Sequence, residues 1–424
     1  MATEVDLPSK GHTVTATADV RFQITGQGTY SISFGNFNDT LYDNSAPANF
    51  TVTGGLGNDS VINTEPGLSS IVLGAGKDIL YASDGSTTVS MGNGNDSVSV
   101  SRETFSVTLG SGKDTFAASS GSSGFIGVGG EASLAVSEGS YTVGLSSGGH
   151  DSVEMNYDGP SLVRGGGGHD TIVADSGFYT IHGGGGHDSV NVSDHSNAVL
   201  YGGLGHDTML VDYHSNATIW AGAPPNDSIH GHDSVQVTDH SSAFVHGNGG
   251  FDTVIVDSSS KGTVLGGAGN DSVNVTHDSA LQFQTGFLNG HDTINVSDSS
   301  KATVYGGAGN DLVNVDSRTN NVKLFSGRGN DTFSFHSNSF GGIGNSDLVD
   351  FSKSDILDLQ DSTFTTIGQI DAHAHFVTSG SNLVVNFTTG GTTTGHMTFD
   401  GFAGKGFTSF SSMNFAGYHI VATG

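Results

Sequence analysis

The stretch GGGGHDSVNVSDHSNAVLYGGLGHDTMLVDYHSNATIW, Gly183 to Trp220, states one phrase twice. Asp188 and Asp207 are 19 residues apart, as are His195 and His214. Aligned on that aspartate, the copies run GNFNDTL (Asp39), GGLGNDSVI (Asp59), GAGKDIL (Asp78), GNGNDSVSV (Asp96) and GSGKDTF (Asp114). GVGGEASLAV is a degenerate copy with Glu131 near the expected place. The series continues through Asp151, Asp170, Asp188 and Asp207 to an irregular copy holding Asp227 and Asp233, then Asp252, Asp271, Asp292, Asp311 and Asp331. Roughly sixteen copies cover about three quarters of the chain, and a period of this length signals a stacked-repeat architecture.

Each copy reads as one closed coil. After the aspartate, SVNV alternates Val190 and Val192 on one face with Ser189 and Asn191 on the other. A polar turn such as SDHSN follows, then a second strand with Ala198 and Leu200 inward and Val199 and Tyr201 outward. The next glycine turn closes the coil. One coil buries too little to stand alone, so neighbours must stack. The expected fold is all-β: a right-handed parallel β-roll or β-solenoid of about 16 coils with a β-rich C-terminal cap. The expected division is 1–30 as an N-terminal cap or assembly strand, 31–346 as the solenoid, and 347–424 as the cap with a secretion-signal region.

Composition narrows the function classes. Thirteen basic residues face 42 acidic ones, a formal net charge of -29. Nucleic acid and anionic lipid would be repelled, so neither is an expected partner. Stacking coils brings successive turn aspartates to about 5 Å, where like charges repel by roughly 3 kcal/mol at an effective dielectric of 20. Such a column requires cations. With 66 glycines and no cysteine, the ligands available are oxygens rather than thiolates. Glycine turns aim carbonyls inward, and Ca2+ takes six to eight oxygens in flexible geometry.

GGLGND, GGAGND and GGGGHD resemble the GGxGxDxUx nonapeptide of RTX proteins, and the resemblance runs over roughly residues 35 to 346. It implies a calcium-binding β-roll. The expected metal ligands are Gly55, Gly57, Asp59, Asp78, Asp96, Asp114, Asp151, Gly166, Gly168, Asp170, Gly184, Gly186, Asp188, Gly203, Gly205, Asp207, Asp233, Asp252, Gly267, Gly269, Asp271, Asp292, Gly307, Gly309, Asp311 and Asp331. Asp188 and Asp207 are expected to face one cleft. RTX rolls usually carry the motif every nine residues, on both sides; here it comes once per coil. One calcium ladder is therefore expected, with Asp194, Asp212, Asp239, Asp257, Asp298 and Asp316 on the other side as Asx-turn residues.

His150, His169, His187, His206, His232 and His291 sit just before the turn aspartate, where other copies have Asn. Three readings stand: solvated residues interchangeable with Asn, a pH device beside the carboxylates, or a transition-metal ladder. Tyr201, Trp220, His246, Leu265, Tyr305 and Phe325 form an outward column where another rod, a glycan or a surface loop could pack.

The N-terminus lacks the basic and apolar regions of a cleavable signal, and no apolar stretch is long enough to span a bilayer. DLVDFSKSDILDLQDSTF resembles the segment after the rolls of serralysin-type secreted proteins, which implies type I export directed from the C-terminus. The chain would stay unfolded at low cytosolic calcium and fold outside. There is no HExxH and no GxSxG, the titratable residues repeat instead of forming one singular constellation, and DAHAHF (Asp371 to Phe376) reads as a polar loop. The expected function is therefore non-enzymatic: a secreted calcium-binding structural protein that assembles with itself through rod faces or ends into a layer, matrix or fibre. An adhesin or glycan-binding module is the alternative, and an ice-binding solenoid a minor one.

Overall fold

The computed structural model describes the chain except residues 1–2, 9–11, 44–46, 158, 223–230, 285–289, 317–320, 338–344, 362–363, 390–391 and 424. The fold is all-β, 59% strand and 4% helix, a parallel β-solenoid of about 16 turns. It divides into two compact units, Met1–Gly203 and Leu204–Gly424.

In the first unit, each coil contributes one strand after the aspartate turn (the downstream sheet) and one before the next glycine turn (the upstream sheet). Ser97–Ser101 pairs in parallel with Ile79–Ser83 on one side and Lys113–Ser119 on the other. Ser86–Asn93 likewise lies between Leu68–Ala75 and Thr104–Thr108. Parallel pairing in the downstream ladder is described from Thr3–Leu7 on Val20–Ile24 onward.

The second unit repeats this plan. Thr253–Val256 pairs with Ser234–Val237 and Ser272–Val275, which aligns Val235, Val254 and Val273 in one column. Lys261–Leu265 pairs with Ser242–His246 and Ala280–Gln284, which aligns Val245, Val264 and Phe283. These six side chains are at most 2% exposed. The sequence alternation causes this directly: a period of two sends every second residue inward. β-branched side chains fit the pleated surface they meet there.

Near the C-terminus the pairing changes. Asn345–Leu348 pairs in parallel with Val322–Phe325 and with Thr392–Phe399. Thr392–Phe399 then runs antiparallel to Asn382–Thr389, and that strand antiparallel to Ala374–Ser379. Ile356–Asp361 pairs with Thr332–Ser337 and with His419–Thr423. Phe387, Phe399 and Phe410 are fully buried here. In DAHAHF, Asp371 accepts from the backbone N–H groups of Phe410 (2.7 Å) and Ser411 (3.2 Å), holding the start of the helix Phe410–Phe415.

Candidate metal centre

The turn aspartates are inside, not at the rim. Asp59, Asp78, Asp170, Asp252 and Asp311 are each at most 3% exposed. One carboxylate oxygen explains how the coils tolerate this. In the first unit the N–H of Asp59 donates to Oδ1 of Asp78 (2.8 Å), that of Asp78 to Asp96 (2.9 Å), and that of Asp96 to Asp114 (2.9 Å). The series resumes from Asp151 to Asp170 and from Asp170 to Asp188, both at 2.9 Å. In the second unit it runs from Asp207 to Asp233, then through Asp252, Asp271, Asp292 and Asp311 to Asp331, at 2.8–3.0 Å. Each coil of these runs thus hands one backbone donor to the aspartate of the coil after it.

The other oxygen has no such partner. Oδ2 of Asp59, Asp78, Asp96, Asp114, Asp151 and Asp170 in the first unit is buried without a hydrogen bond. The same holds for Asp233, Asp252, Asp271, Asp311 and Asp331 in the second. Burial raises these carboxyls: Asp252 to about 8, Asp170 and Asp311 to about 7, and Asp59, Asp78, Asp114, Asp233, Asp292 and Asp331 to about 6. A buried carboxylate oxygen that lacks a donor needs a proton or a cation.

The glycines shape the space beside that oxygen. A Cβ on Gly165 would stand 2.8 Å from Oδ2 of Asp170, and one on Gly247 2.6 Å from Oδ2 of Asp252. In these coils the first glycine leaves that place open, while Leu73, Met91 and Leu109 stand at the equivalent position before Asp78, Asp96 and Asp114. The second and fourth glycines turn the backbone left-handed at Gly166 and Gly168, Gly184 and Gly186, Gly203 and Gly205, Gly267 and Gly269, and Gly307 and Gly309. At Gly55 and Gly57 an added Cβ would collide with the carbonyls of Gly35 and Phe37. Among the described residues no three His, Asp or Glu side chains converge as a metal-binding group. A cation beside these oxygens would draw on one or two carboxylates, with other oxygens such as glycine-turn carbonyls or water filling its shell. Calcium accepts that mixture.

The ladder has boundaries at its weak copies, Glu131 and Asp39, and at Asp355, which the sequence reading did not mark. Ala132, not Glu131, pairs in register with Asp114, and its N–H donates to Oδ1 of Asp151 (2.6 Å). Glu131 points outward to Lys113 (2.5 Å), so the degenerate copy interrupts the row. At Asp39 both oxygens are engaged, by Val20 N–H (2.8 Å) and Gly35 N–H (3.2 Å). In the second unit the row ends at Asp355, whose Oδ1 accepts from Asp331 (3.2 Å) and whose Oδ2 accepts from Ser352 (2.8 Å). Asp355 lies in FSKSDILDL, where no glycine run marks it. Asp227 falls outside the described residues.

The opposite turn carries a neutral counterpart. Ser215 N–H donates to Oγ of Ser241 (3.1 Å), Ser241 to Ser260, Ser260 to Ser279, and Ser279 to Ser300, each at 3.2 Å. All five serines are at most 1% exposed. In the first unit Gly177 N–H donates to Ser196 Oγ (3.2 Å). Hydroxyls fill here the place that carboxylates take on the glycine side. The aspartates beside them are turn residues: Asp212 accepts from Tyr213 N–H and Asp257 from Ser258 N–H, both at 2.7 Å. Asp194, Asp239 and Asp298 are themselves left-handed, at φ 54, 49 and 51. Asp43, on this side of the first unit, is buried with neither oxygen bonded, and burial raises it to about 7.

The histidines play the part of the asparagines. Asn58 N–H donates to Oδ1 of Asn38 (2.7 Å) and His291 N–H to Oδ1 of Asn270 (2.8 Å). In other coils His187 N–H donates to Nδ1 of His169 (3.0 Å), and His232 N–H to Nδ1 of His206 (2.7 Å). The Nδ1 atoms of His169 and His206 thus take the place that asparagine Oδ1 holds in other coils. Their rings stack at 5.2 Å (His150, His169), 4.9 Å (His169, His187) and 5.0 Å (His206, His232).

The buried carboxylate row, the open place beside each glycine and the parallel coils meet one sequence family. The RTX calcium-binding nonapeptide repeat, in 4 copies, matches residues 69–98, 164–194 and 303–317. The chain carries RTX calcium-binding repeats, and its parallel β-solenoid fits an RTX β-roll protein. Its ion is Ca2+. No curated protein matches the chain. The family matches cover Asp78, Asp96, Asp170, Asp188 and Asp311, so they fall on the aspartates whose burial is described above. This RTX-repeat protein has no described helix long and apolar enough to cross a membrane.

Proposed function

We propose that this RTX-repeat protein is a secreted structural component that folds when it meets calcium outside the cell and then assembles with itself into a layer, matrix or fibre. The row of buried aspartate oxygens without donors carries the reading. Such a row opposes folding while it is ionised and bare, and it favours folding once calcium neutralises it. The C-terminal resemblance to serralysin-type proteins supports type I export, and RTX repeats are typical of secreted proteins.

Two observations favour assembly over a glycan-binding or catalytic role. The outward rings of the upstream sheet stack on one another: His182 on Tyr201 at 4.4 Å in the first unit, Trp220 on His246 at 5.6 Å and Tyr305 on Phe325 at 4.3 Å in the second. Rings that cover each other's faces present edges, while a sugar stacks on faces. The titratable groups also recur coil after coil, whereas a catalytic centre is a singular arrangement. The test is negative-stain microscopy and sedimentation of the purified chain with millimolar calcium and with chelator. Ordered sheets or fibres that appear only with calcium are expected. Monodisperse folded particles at every calcium concentration would overturn assembly.

A further inference from the structure

The upstream sheet of the first unit carries a long uncharged stretch. Eight of its strands follow one another in parallel register: Thr13–Thr15, Thr29–Ser33, Asn49–Thr53, Leu68–Ala75, Ser86–Asn93, Thr104–Thr108, Ser123–Gly127 and Ser140–Gly144. None of the eight contains Asp, Glu, Lys, Arg or His. The next strand, Pro160–Arg164, ends the stretch with the exposed Arg164. The shared register sets the outward residues in columns. The central column runs from Thr13 through Ser31, Thr51, Ser70, Thr88 and Ser106, one residue from each coil. Phe125 continues it and is 44% exposed. Ser and Thr hold most places in the columns on either side, where Leu68 and Val72 are 64% and 47% exposed.

That composition stands out in a chain with 13 basic and 42 acidic residues. The downstream sheet of the same unit exposes Glu4, Arg21, Lys113 and Glu154 on its strands. Charges close to the uncharged stretch pair within the chain, Arg102 with Asp84 and Lys113 with Glu131, both at 2.5 Å. A centre depleted of charge inside a polar rim is the composition of an interface core. Eight strands about 4.8 Å apart and about 16 Å long cover roughly 600 Å2. Two such faces in contact bury roughly 1,200 Å2, above the approximately 1,000 Å2 that a specific interface needs. Two chains of net charge -29 repel one another. Here they can meet without setting charge against charge.

We propose that this stretch is a docking face for the same stretch of a second copy, the two sheets stacking through their Ser and Thr columns with Leu68, Val72 and Phe125 as apolar contacts. The inference rests on the self-assembly reading and names one of its surfaces. A contact of one surface with itself is isologous and closes as a pair. The pair is then the unit from which a layer or fibre grows.

Charge placed on the face tests it. In millimolar calcium, Thr51→Lys/Thr88→Lys and Thr51→Glu/Thr88→Glu are each expected to weaken pairing about tenfold or more by sedimentation velocity, since each variant sets like charges together. An equimolar mixture of the two regains pairing, because lysine then meets glutamate. Pairing of the parent strengthens as NaCl rises from about 0.1 to about 1 M, where the Debye length falls from about 10 to about 3 Å and screens the acidic chains. Parent pairing that weakens with salt would point to ion pairs and overturn the uncharged face. Far-UV circular dichroism with calcium establishes that the variants fold. If either does not, Leu68→Ser/Phe125→Ser takes their place, and unchanged pairing in it overturns the proposal. Variants that pair as the parent does, or a mixture no better than its parts, overturn this face and leave self-assembly standing. A parent monomeric at every calcium concentration overturns both. A monomeric parent that binds microcrystalline cellulose, with binding lost in both charged variants, gives the face to a neutral polysaccharide and overturns the second copy as its occupant.

Discussion

Asp252 holds the backbone of Asp233 with one oxygen and leaves the other buried and bare. Changing it to Asn separates the two roles, since the amide oxygen still accepts from Asp233 and no charge is buried. Asp252→Asn is expected to raise calcium-free stability by about 1–3 kcal/mol while raising the calcium concentration needed for folding. Thermal melts in chelator and a calcium titration followed by circular dichroism measure the two effects. The histidines make a similar point. His169→Asn keeps an acceptor for His187 N–H and is expected to be near neutral, whereas His169→Leu loses it and costs about 1 kcal/mol, read from melts at pH 8 in calcium. The aspartates were legible in sequence because each follows a glycine turn, and the exchange of His for Asn was visible from copy to copy. The acceptor role of Nδ1 was not, because it depends on the next coil's backbone arriving within 3.0 Å.

Each coil has two turns, and they solve the same problem with different chemistry. Both must receive a backbone N–H from the preceding coil. The glycine side receives it on a carboxylate, the other side on a serine hydroxyl. Ser260→Ala leaves the Ser241 N–H with only its bond to the Thr238 carbonyl (3.2 Å) and is expected to cost about 1 kcal/mol at saturating calcium. The calcium midpoint should move only as far as that loss of stability dictates. A shift beyond that would place a metal ligand at Ser260. The serine row could have been found in sequence. SDHSN, TDHSS, DSSSK and SDSSK keep one serine at a fixed place before the upstream strand, yet Ser is so common in turns that the position does not stand out. The end of the carboxylate row at Asp355 gave less signal still, since its place is fixed by the pairing of Ile356–Asp361 with Thr332–Ser337.

For the molecule as a whole, the buried carboxyls set the response to pH. Their values in the folded calcium-free chain, about 6 to 8, exceed the ordinary value near 4. The folded state then holds protons that the unfolded chain releases. Its stability is fully present below about pH 4 and falls as pH rises through about 6 to 8. Calcium-free protein is therefore expected to gain β signal when titrated from pH 8 to 5, protons standing in for the metal. Calcium-loaded protein should show the reverse, with weaker calcium binding in acid, because ligation requires ionised carboxylates. A calcium-free chain equally unfolded at pH 5 and pH 8 would contradict the first expectation.

The hydrogen-bond row also has a direction. Each backbone N–H gives itself to the carboxylate of the following coil, never of the preceding one. In the second unit, cutting the chain before Asp355 strands the donor of Asp331, while removing Asp207 and its coil releases the acceptor of Asp233. A stranded buried donor is costly, but a released carboxylate can turn to water. For this row, shortening from the two sides is thus inequivalent: losing the C-terminal coil leaves a bare buried donor, whereas losing the N-terminal coil frees an acceptor that water can satisfy.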